Sequence, residues 1–328
     1  MKLLVTGGAG YIGSIVGAQL VEAGHQVTVL DNLSKGHRRA VPAGARFIQG
    51  DLEDRASLHQ VLADAFDGVL HFAARSLVAE SVKQPRQYYR NNLCGTLNLL
   101  DAMADAGVPR LVFSSTAAVY GHPEEVPISE TAPTRPTNPY GGSKLAVDQL
   151  IGFASAAHGL AAVILRYFNV AGASGPRGEA HDPETHLIPI VLQVAADRRD
   201  AVQVYGTDYP TPDASAVRDY IHVEDLGRAH LLALHAAEPG RPRIYNLGNG
   251  AGFSVLEVIE AARAVTGHPI PSLDAPRRAG DPPILVASSR LIANELGWVP
   301  EKPELTTMIA DAWAWMRASV PESAEWPS

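Results

Sequence analysis

Short apolar runs alternate with longer segments of helical periodicity through the first half of the chain. The runs lie at residues 3–5, 26–30, 46–48, 68–72, 110–113 and 162–165 and predict buried strands. Apolar residues spaced three and four positions apart predict helices over residues 11–23, 91–106 and 140–157. Because apolar strands alternate with helices, the pattern predicts an α/β domain whose parallel sheet is covered by helices on both faces.

The pattern loosens after about residue 167. Prolines at positions 176, 183, 189, 210 and 212 divide this part of the chain into short pieces, and clear helical spacing returns at residues 255–265 and 305–318. We therefore expect a first domain over residues 1–167, completed by later segments near 217–248, and a smaller, loop-rich substrate-binding domain over residues 168–328. Loops held on a rigid scaffold commonly carry binding residues.

Length and composition agree with this organisation. The 328 residues correspond to two domains at ~150 residues each, and the 46% of hydrophobic residues is typical of a globular protein. The formal net charge of −8 argues against a nucleic-acid partner, because phosphate neutralisation needs a basic surface. The single cysteine, Cys94, cannot form an internal disulfide, and no apolar run reaches the ~18 residues of a membrane helix. We expect a cytoplasmic protein with no membrane partner.

A glycine-rich turn follows the first predicted strand. Gly7, Gly10 and Gly13 permit a tight turn, close approach of the backbone to a pyrophosphate, and close helix packing. The helix that follows directs its free N–H groups and positive dipole end at such an anion. Asp31 ends the second strand, 18 residues after Gly13, where a carboxylate accepts hydrogen bonds from a ribose 2′-hydroxyl and repels a 2′-phosphate. This arrangement predicts a Rossmann-type, doubly wound sheet that binds NAD in preference to NADP. The alternative is a simple turn and an ordinary strand-end aspartate.

Tyr140 and Lys144 lie four residues apart, on one face of a predicted helix. A phenol has a reference pKa of about 10 and is a poor base at neutral pH. A neighbouring ammonium and the positive nicotinamide ring would favour the phenolate. The alternative is a surface pair, since Tyr-x-x-x-Lys is common by chance. Residues 113–116, Phe-Ser-Ser-Thr, favour the catalytic interpretation because they end a strand at the nucleotide-facing edge, where Thr116 could bond the same substrate oxygen as Tyr140.

Several motifs together resemble the extended short-chain dehydrogenase/reductase family. They are the glycine turn from Thr6 to Gly13, Ser-Ser-Thr at 114–116, Tyr-x-x-x-Lys at 140–144 and Leu-Arg-Tyr-Phe-Asn at 165–169. Arg-Asp-Tyr-Ile-His-Val at 218–223, Tyr-Asn-Leu-Gly at 245–248 and Pro-Arg-Arg-Ala-Gly-Asp at 276–281 narrow the resemblance to the UDP-sugar 4-epimerase branch, over nearly the whole chain. The resemblance implies an NAD-containing isomerase that interconverts UDP-glucose and UDP-galactose.

The resemblance also implies a mechanism and two sets of contacts. Tyr140 as phenolate would remove the sugar 4-hydroxyl proton, Thr116 would hold that oxygen, and Lys144 would bind the nicotinamide ribose and lower the pKa of the tyrosine. The predicted cofactor contacts are Gly7, Gly10, Tyr11, Ile12, Gly13, Asp31, Asn32, Ser34, Gly36, Asp51, Leu52, Phe72, Ala73, Ala74, Asn91, Ser114, Tyr140, Lys144 and Phe168. The predicted UDP-sugar contacts are Thr116, Tyr140, Asn169, His186, Leu187, Tyr205, Arg218, Arg278 and Asp281.

Two of these assignments have alternatives. Arginine suits a diphosphate because its planar fork binds two oxygens, but Arg218 or Arg278 could instead belong to a surface ion pair. Asp51 could meet the adenine, or it could cap a helix.

The chain departs from the family pattern at several positions. Ser76 stands where many members have a lysine, with Arg75 before it, and His186 stands where an asparagine is common. Residues 214–216, Ala-Ser-Ala, replace a more polar stretch that contains glycine. By the resemblance, Leu285 borders the sugar 2-substituent, so a bulky leucine there predicts that N-acetylated sugars are poorer substrates.

The residues after Thr116 bear on the type of reaction. Related dehydratases carry Asp-Glu there, whereas Ala117 and Ala118 cannot do acid–base chemistry. We therefore expect 4-epimerisation rather than elimination. The alternatives are a 4-epimerase of another UDP-sugar, such as an N-acetylhexosamine, pentose or uronate, and a non-catalytic NAD-sensing protein on the same fold.

Two further expectations concern partners and metals. The family suggests a homodimer paired through helices near residues 91–106 and 143–157, although their apolar stripes could instead be buried in the core. His71 and His222 lack a partner set with metal-ligand spacing, so both are predicted to be structural and no metal site is predicted.

Overall fold

The computed structural model describes residues 1–278 and 280–319. The strands are β1 Lys2–Thr6, β2 Gln26–Asp31, β3 Arg46–Gln49, β4 Gly68–His71, β5 Arg110–Thr116, β6 Ala161–Tyr167, β7 Asn169–Ala171, β8 Val202–Tyr205, β9 Val217–Arg218, β10 Tyr220–His222, β11 Arg243–Leu247, β12 Phe253–Ser254, β13 Ser272–Ala275 and β14 Ile284–Leu285. The helices are α1 Tyr11–Glu22, α2 Arg55–Leu62, α3 Val78–Lys83, α4 Pro85–Tyr88, α5 Gly95–Asp105, α6 Pro139–His158, α7 Leu187–Ala195, α8 Val223–Ala236, α9 Val255–Thr266, α10 Arg290–Leu296 and α11 Leu305–Ala318. Residue 279 of one predicted motif and residues 320–328 of the predicted second domain lie outside the described residues.

Seven parallel strands form the central sheet, in the order β11-β6-β5-β4-β1-β2-β3. From β1 the chain runs outward to β2 and β3 and then returns to β4 on the other side. The carboxyl ends of β1 and β4 therefore border the crevice in which sheets of this type bind ligands. The prediction of a Rossmann-type, doubly wound sheet is confirmed.

Helices cover both faces of the sheet because alternate side chains of each strand point to opposite faces. On one face, Val5 of β1 packs in the same apolar cluster as Leu20 of α1 and Leu226 of α8. On the other face, Leu4 packs in a cluster with helices α2, α5 and α6, which includes Ile151. Strand β1 is thus buried on both sides, as its continuous apolar run predicts.

The second half of the chain forms a smaller layer beside the carboxyl ends of the sheet strands. Helices α7, α9 and α11 share one apolar cluster, through residues such as Val191, Val258 and Ile309. Strand β8 pairs with β13, and β9 lies between β12 and β14. The chain also returns to the main sheet, because β11 pairs with β6.

The predicted elements are recovered with two kinds of difference. The helices predicted at residues 255–265 and 305–318 are confirmed as α9 and α11. The helix predicted over residues 91–106 is partly wrong, since a π-helical turn, Tyr89–Cys94, precedes α5. The second half is less loop-rich than expected, because it also contains the helices α7 and α8. Helix α7 includes Pro189, which was interpreted as a break, and α8 carries several polar residues. None of the described helices has the length and apolar character that crossing a membrane requires.

His71 at the end of β4 is the buried polar group that links the sheet to α5. Its Nδ1 lies 2.6 Å from Thr6 Oγ1 on β1, and its Nε2 lies 2.8 Å from Thr96 Oγ1 on α5. Burial, together with a smaller effect of the charge of Lys144, lowers the pKa of His71 to about 3. The ring is therefore neutral in the folded protein, which agrees with its predicted structural role.

Acid should destabilise the protein partly through His71. In the unfolded chain a histidine takes up a proton below about pH 6.5, whereas buried His71 stays neutral until about pH 3. Its contribution to stability is complete above the unfolded pKa and is lost as the pH falls between these values. We expect His71→Gln to flatten the dependence of the unfolding free energy on pH by about 1.4 kcal/mol per pH unit around pH 5.

Urea unfolding of the wild type and the variant at several pH values measures this slope. The exposed His122 provides the control, since His122→Gln should leave the slope unchanged. Equal slopes for His71→Gln and the wild type would show that His71 is not the responsible group.

Candidate active site

The glycine turn packs tightly against the end of β4. Gly7 has φ 73°, in the left-handed region, and a Cβ there would lie 2.5 Å from the backbone nitrogen of Ala73. A Cβ on Gly13 would collide with the carbonyl oxygen of Gly7. Gly10 is the N-cap of α1, and no side chain caps this end of the helix. No side chain therefore competes for the first-turn N–H groups of α1. This end of the helix can bind the pyrophosphate of NAD.

Asp31 ends β2 with both carboxylate oxygens in hydrogen bonds. Oδ2 accepts from the backbone N–H of Ala9 at 3.0 Å, and Oδ1 accepts from that of Leu33 at 2.8 Å. Each oxygen keeps further acceptor capacity, so a ribose hydroxyl can still donate to this carboxylate. Asp31 also ties the glycine turn to the loop after β2, a role that the sequence does not reveal.

The residues predicted to bind the adenosine side are held together by their own hydrogen bonds. Asn32 Nδ2 donates to Asp51 Oδ2 at 2.8 Å, and the Ser34 N–H donates to Asn32 Oδ1 at 2.9 Å. Gly36 packs on the glycine turn, where a Cβ would lie 2.8 Å from the carbonyl carbon of Ala9. The helix-cap alternative for Asp51 is wrong, because Asp54 caps α2.

The segment after β4 lies against the glycine turn. The N–H groups of Phe72 and Ala73 both donate to the Thr6 carbonyl, at 2.9 and 3.1 Å. Phe72 also packs on His230, with ring centroids 4.8 Å apart. The remaining predicted cofactor residues lie in α1 (Tyr11, Ile12), after β3 (Leu52), after β4 (Ala74) and in the π-helical turn (Asn91).

Helix α6 brings Tyr140 and Lys144 to the carboxyl end of β5. Asn138 caps this helix, with Oδ1 accepting from the Gly141 N–H at 2.9 Å. Lys144 is buried, and its Nζ donates to the carbonyl oxygen of Ser114 at 2.7 Å. Thr116 ends β5, and its side chain is close enough to the Tyr140 hydroxyl to lower the pKa of that group. Three residues that are predicted to be catalytic therefore converge at one strand end.

The pKa of Tyr140 is raised by its surroundings in the protein. Burial raises the pKa, the neighbouring Thr116 side chain opposes this, and Asp148 raises it further. Lys144 does not lower it, because its ammonium bonds Ser114 and lies 4.6 Å from the centroid of the Phe113 ring. The expectation combined the Lys144 ammonium with the positive nicotinamide ring, so phenolate formation stays a prediction for the NAD-bound protein. Burial also lowers the pKa of Lys144 to about 7, against the opposing effect of Asp148.

A buried ion pair joins helix α6 to strand β6. Asp148 Oδ2 accepts from Arg166 Nε at 2.9 Å, with side chains 2% and 5% exposed. Arg166 also donates to the Tyr120 hydroxyl at 3.0 Å, and Tyr120 donates to Asn246 at 2.7 Å. Asp148 is a positioning residue that the sequence-based prediction missed. The signal is its place on the helical face of Tyr140 and Lys144, four residues further on.

The residues after Thr116 lie in a small apolar cluster. Ala117, Phe168 and Ala287 are buried there, and Leu285 packs against them. Leu285 also pairs with Arg218 across strands β14 and β9. The structure thus brings the residue predicted to border the sugar close to Thr116 and next to a predicted diphosphate ligand.

Four of the predicted UDP-sugar contacts form two close pairs, and two others lie at the starts of β7 and α7. Arg218 donates to Asp281 Oδ1 at 2.5 Å, and Arg278 lies 4.0 Å from the centroid of the Tyr205 ring. Asn169 begins β7, two residues after Tyr167, which pairs with Thr116. Leu187 is the first residue of α7.

Three predicted positions have other partners. His186 is the N-cap of α7, and its Nδ1 lies 2.9 Å from Glu184 Oε1. Arg75 Nη1 lies 3.6 Å from Glu80 Oε2, so the arginine forms an ion pair with that carboxylate. His222 is fully buried between the Glu224 N–H and Asp311, which agrees with a structural role.

The chain belongs to the NAD-dependent epimerase/dehydratase family, whose model, "NAD dependent epimerase/dehydratase family", matches residues 3–248. Within that class it is similar to UDP-glucose 4-epimerases. It is 60% identical over 316 residues to that of Streptomyces lividans, covering 96% of this chain and 95% of the relative. It is 58% identical over 319 residues to that of Corynebacterium glutamicum, covering 97% and 96%.

A solved structure gives the same result for the fold. The UDP-glucose 4-epimerase of Bifidobacterium longum in complex with NAD⁺ and UDP matches with a TM-score of 0.92 at 40% identity, covering 97% of this chain and 99% of that one. The predicted family, the assignment as an enzyme of the isomerase class and NAD as the family's cofactor are confirmed.

The close packing of the glycine turn predicts a specific loss of NAD. In Gly13→Ala the new Cβ would meet the Gly7 carbonyl, so the turn must open and the α1 N–H groups must move from the anion. We expect at least a ~10-fold weaker affinity for NAD, as for the loss of one or two charge-assisted hydrogen bonds.

Titration calorimetry with NAD measures this affinity, and Gly152→Ala is the matched control. Gly152 lies within α6, and a Cβ there would have no neighbour within 4 Å. An unchanged NAD affinity in Gly13→Ala would contradict the assignment of the turn.

Proposed function

We propose that the protein interconverts UDP-glucose and UDP-galactose by NAD-dependent epimerisation at C4, through a transient 4-keto sugar. The observation that carries the proposal is the convergence of Tyr140 and Thr116 at the end of β5, beside buried Lys144. The names of the relatives and the UDP in the Bifidobacterium structure support this substrate class.

Tyr140 is the proposed base and acid of the reaction. Its phenolate removes the proton of the sugar 4-hydroxyl and later returns a proton to the same oxygen. Thr116 Oγ1 accepts from the Ala118 N–H at 3.1 Å, which orients its hydroxyl so that it can hold this oxygen. Because burial raises the pKa of Tyr140, phenolate formation needs positive charge close to the ring.

Bound NAD⁺ supplies the hydride acceptor for C4 and a positive nicotinamide ring. Lys144 would bind the nicotinamide ribose from the carboxyl end of β5, while Asp148 raises its pKa against the effect of burial. The chain's remaining task is to hold the UDP moiety while the keto sugar turns in the pocket. No net oxidation occurs, so the cofactor can stay bound between turnovers.

Arg218 and Arg278 are the proposed ligands of the diphosphate. Arg218 is only 15% exposed at its side chain and already forms an ion pair with Asp281, so its guanidinium is held in position before a ligand arrives. The Arg278 guanidinium lies over the face of the Tyr205 ring, 4.0 Å from its centroid, and such a contact does not use the in-plane N–H donors that bind a phosphate. Asn169 and Leu187 would contact the UDP-sugar between these arginines and the catalytic tyrosine, and His186 would do so only if it is released from Glu184.

We assign the cofactor to the sheet of residues 1–167 with the later segments near 217–248, and the UDP-sugar to residues 168–328. Strand β11 and helix α8 pack with the first unit, which supports the division. We further propose a homodimer paired through α5 and α6, since Leu97 and Phe153 on these helices are 43% and 75% exposed. A cytoplasmic location is supported by the single cysteine, which can form no internal disulfide.

The alternatives lack comparable support from the site. A dehydratase reaction needs an acid near C5, and the residues beside Thr116 are alanines. An NAD-sensing protein has no need of Tyr140 and Lys144 together. Turnover of another UDP-sugar remains the main alternative, and the selectivity experiment below tests it.

Tyr140→Phe should abolish most of the activity without unfolding the protein. The variant removes the proton acceptor but keeps the ring, so we expect a loss of ~10²–10⁴-fold in the conversion of UDP-galactose to UDP-glucose. Tyr245→Phe is the matched control, because its hydroxyl bonds Glu295 at the sheet edge. A folded Tyr140→Phe protein that converts UDP-galactose at the wild-type rate would contradict the assignment of Tyr140 as the base.

Leu285 should select against an N-acetyl group on the sugar. We expect the wild type to turn over UDP-GlcNAc more slowly than UDP-glucose, and Leu285→Ala to raise the relative rate for UDP-GlcNAc by ~10-fold. The exposed Leu256 on α9 offers the control variant Leu256→Ala. Comparable rates for both sugars in the wild type would refute the role of Leu285.

A further inference from the structure

Four side chains with metal-ligating atoms converge at the edge of the candidate site, in a segment that we call the His–Glu loop, residues 179–186. They are Glu179, His181, Glu184 and His186, and one ligand atom from each lies within 4.8 Å of the others. The spacing, Glu-x-His-x-x-Glu-x-His, places all four in eight residues just before α7. The sequence-based prediction of no metal site considered His71 and His222 and missed this pattern.

The distances within the loop are those of ligands around one cation. His186 Nδ1 lies 2.9 Å from Glu184 Oε1 and 3.8 Å from Glu179 Oε1. His181 Nδ1 lies in closer contact with Glu179 Oε1. Ligands at ~2.0–2.2 Å from a tetrahedral zinc ion are ~3.4 Å from each other, which lies between the two separations of His186 Nδ1. The contact of His181 with Glu179 is shorter and would have to open to admit the ion.

Two buried atoms of the loop point to a cation as their partner. Glu179 Oε1 and His181 Nδ1 are buried and contact each other without hydrogen-bond geometry, so neither atom forms a hydrogen bond among the described residues. The Glu179 side chain is only 10% exposed and that of Glu184 only 3%. Burying a carboxylate without a hydrogen bond is costly, and a bound cation removes that cost.

Backbone contacts hold the loop in this arrangement. Glu184 Oε1 accepts from the N–H groups of Thr185 and His186, at 2.7 and 2.8 Å, which fixes the carboxylate in place. Lys35 Nζ donates to the Asp182 carbonyl at 2.6 Å, and His37 Nε2 lies 3.2 Å from the Ala180 carbonyl. The loop therefore rests on the segment that follows β2.

We propose that Glu179, His181, Glu184 and His186 bind one structural zinc ion. Two imidazoles with two carboxylates favour a transition metal over Mg²⁺ or Ca²⁺, which take oxygen ligands almost exclusively. Four protein ligands leave no open position, as in structural rather than catalytic zinc sites. The ion would fix the conformation of the His–Glu loop, which precedes α7 and contacts the segment after β2 through Lys35 and His37. His186 would then be a metal ligand instead of a sugar contact.

The first test is metal content, which does not depend on the proposed activity. The full-length protein, purified without chelator or affinity metal, is measured by inductively coupled plasma mass spectrometry. We expect about one zinc per chain. Removal of zinc with a chelator should lower Tm, and added ZnCl₂ should restore it, because a ligand of the folded state stabilises that state. Metal-free protein that binds zinc with a Kd weaker than about 1 µM would overturn the proposal.

Single variants locate the ion. His181→Ala and Glu184→Gln should each lose the bound zinc, whereas His181→Cys should retain it because a thiolate is a good zinc ligand. His59→Ala is the matched control, since His59 forms an exposed pair with Asp105 at 3.6 Å. Zinc retained by both His181→Ala and Glu184→Gln would place the metal elsewhere and overturn the assignment. If these variants do not fold, the comparison of His181→Cys with chelated wild type decides the question.

Discussion

The hydrogen bond from Lys144 to the carbonyl oxygen of Ser114 is the interaction on which the site depends. A buried ammonium needs polar partners, and here the catalytic helix reaches them only at the end of β5. Beneath it, Asp148 and Arg166 extend the polar network to Tyr120 and then to Asn246 on β11. One buried chain of contacts thus fixes the position of α6 relative to three neighbouring strands, and with it the position of Tyr140.

The main sheet could be predicted because its strands are buried on both faces. A continuous apolar run such as residues 3–5 can be recognised without knowledge of its neighbours, and the alternation of such runs with helices indicates a parallel sheet. Helix α7 was missed because Pro189, which lies in its first turn, was interpreted as a break, and because Gln193 is the only polar residue of the helix. The π-helical turn before α5 was likewise invisible, since its apolar spacing differs from a regular helix only by one residue per turn.

The candidate site shows the same division. Residue types and spacing were sufficient for the glycine turn, Thr116, Tyr140 and Lys144, because each lies at a strand end or on one helical face. Contacts between distant segments were not readable, and so Arg166 had no predicted role. The direction of the pKa shift of Tyr140 could not be predicted from the sequence either. It depends on burial and on which group the Lys144 ammonium donates to.

The place of β11 has a consequence for the order in which the protein is made. This strand pairs with β6, although about 80 residues separate them in the chain, and Glu295 beyond it bonds both Arg243 and Tyr245. The apolar edge of β6 therefore has no strand partner while the intervening residues are being synthesised. An unpaired strand edge is a template for association with other chains. During translation the nascent first unit is thus most exposed to misassembly until residues 243–247 leave the ribosome.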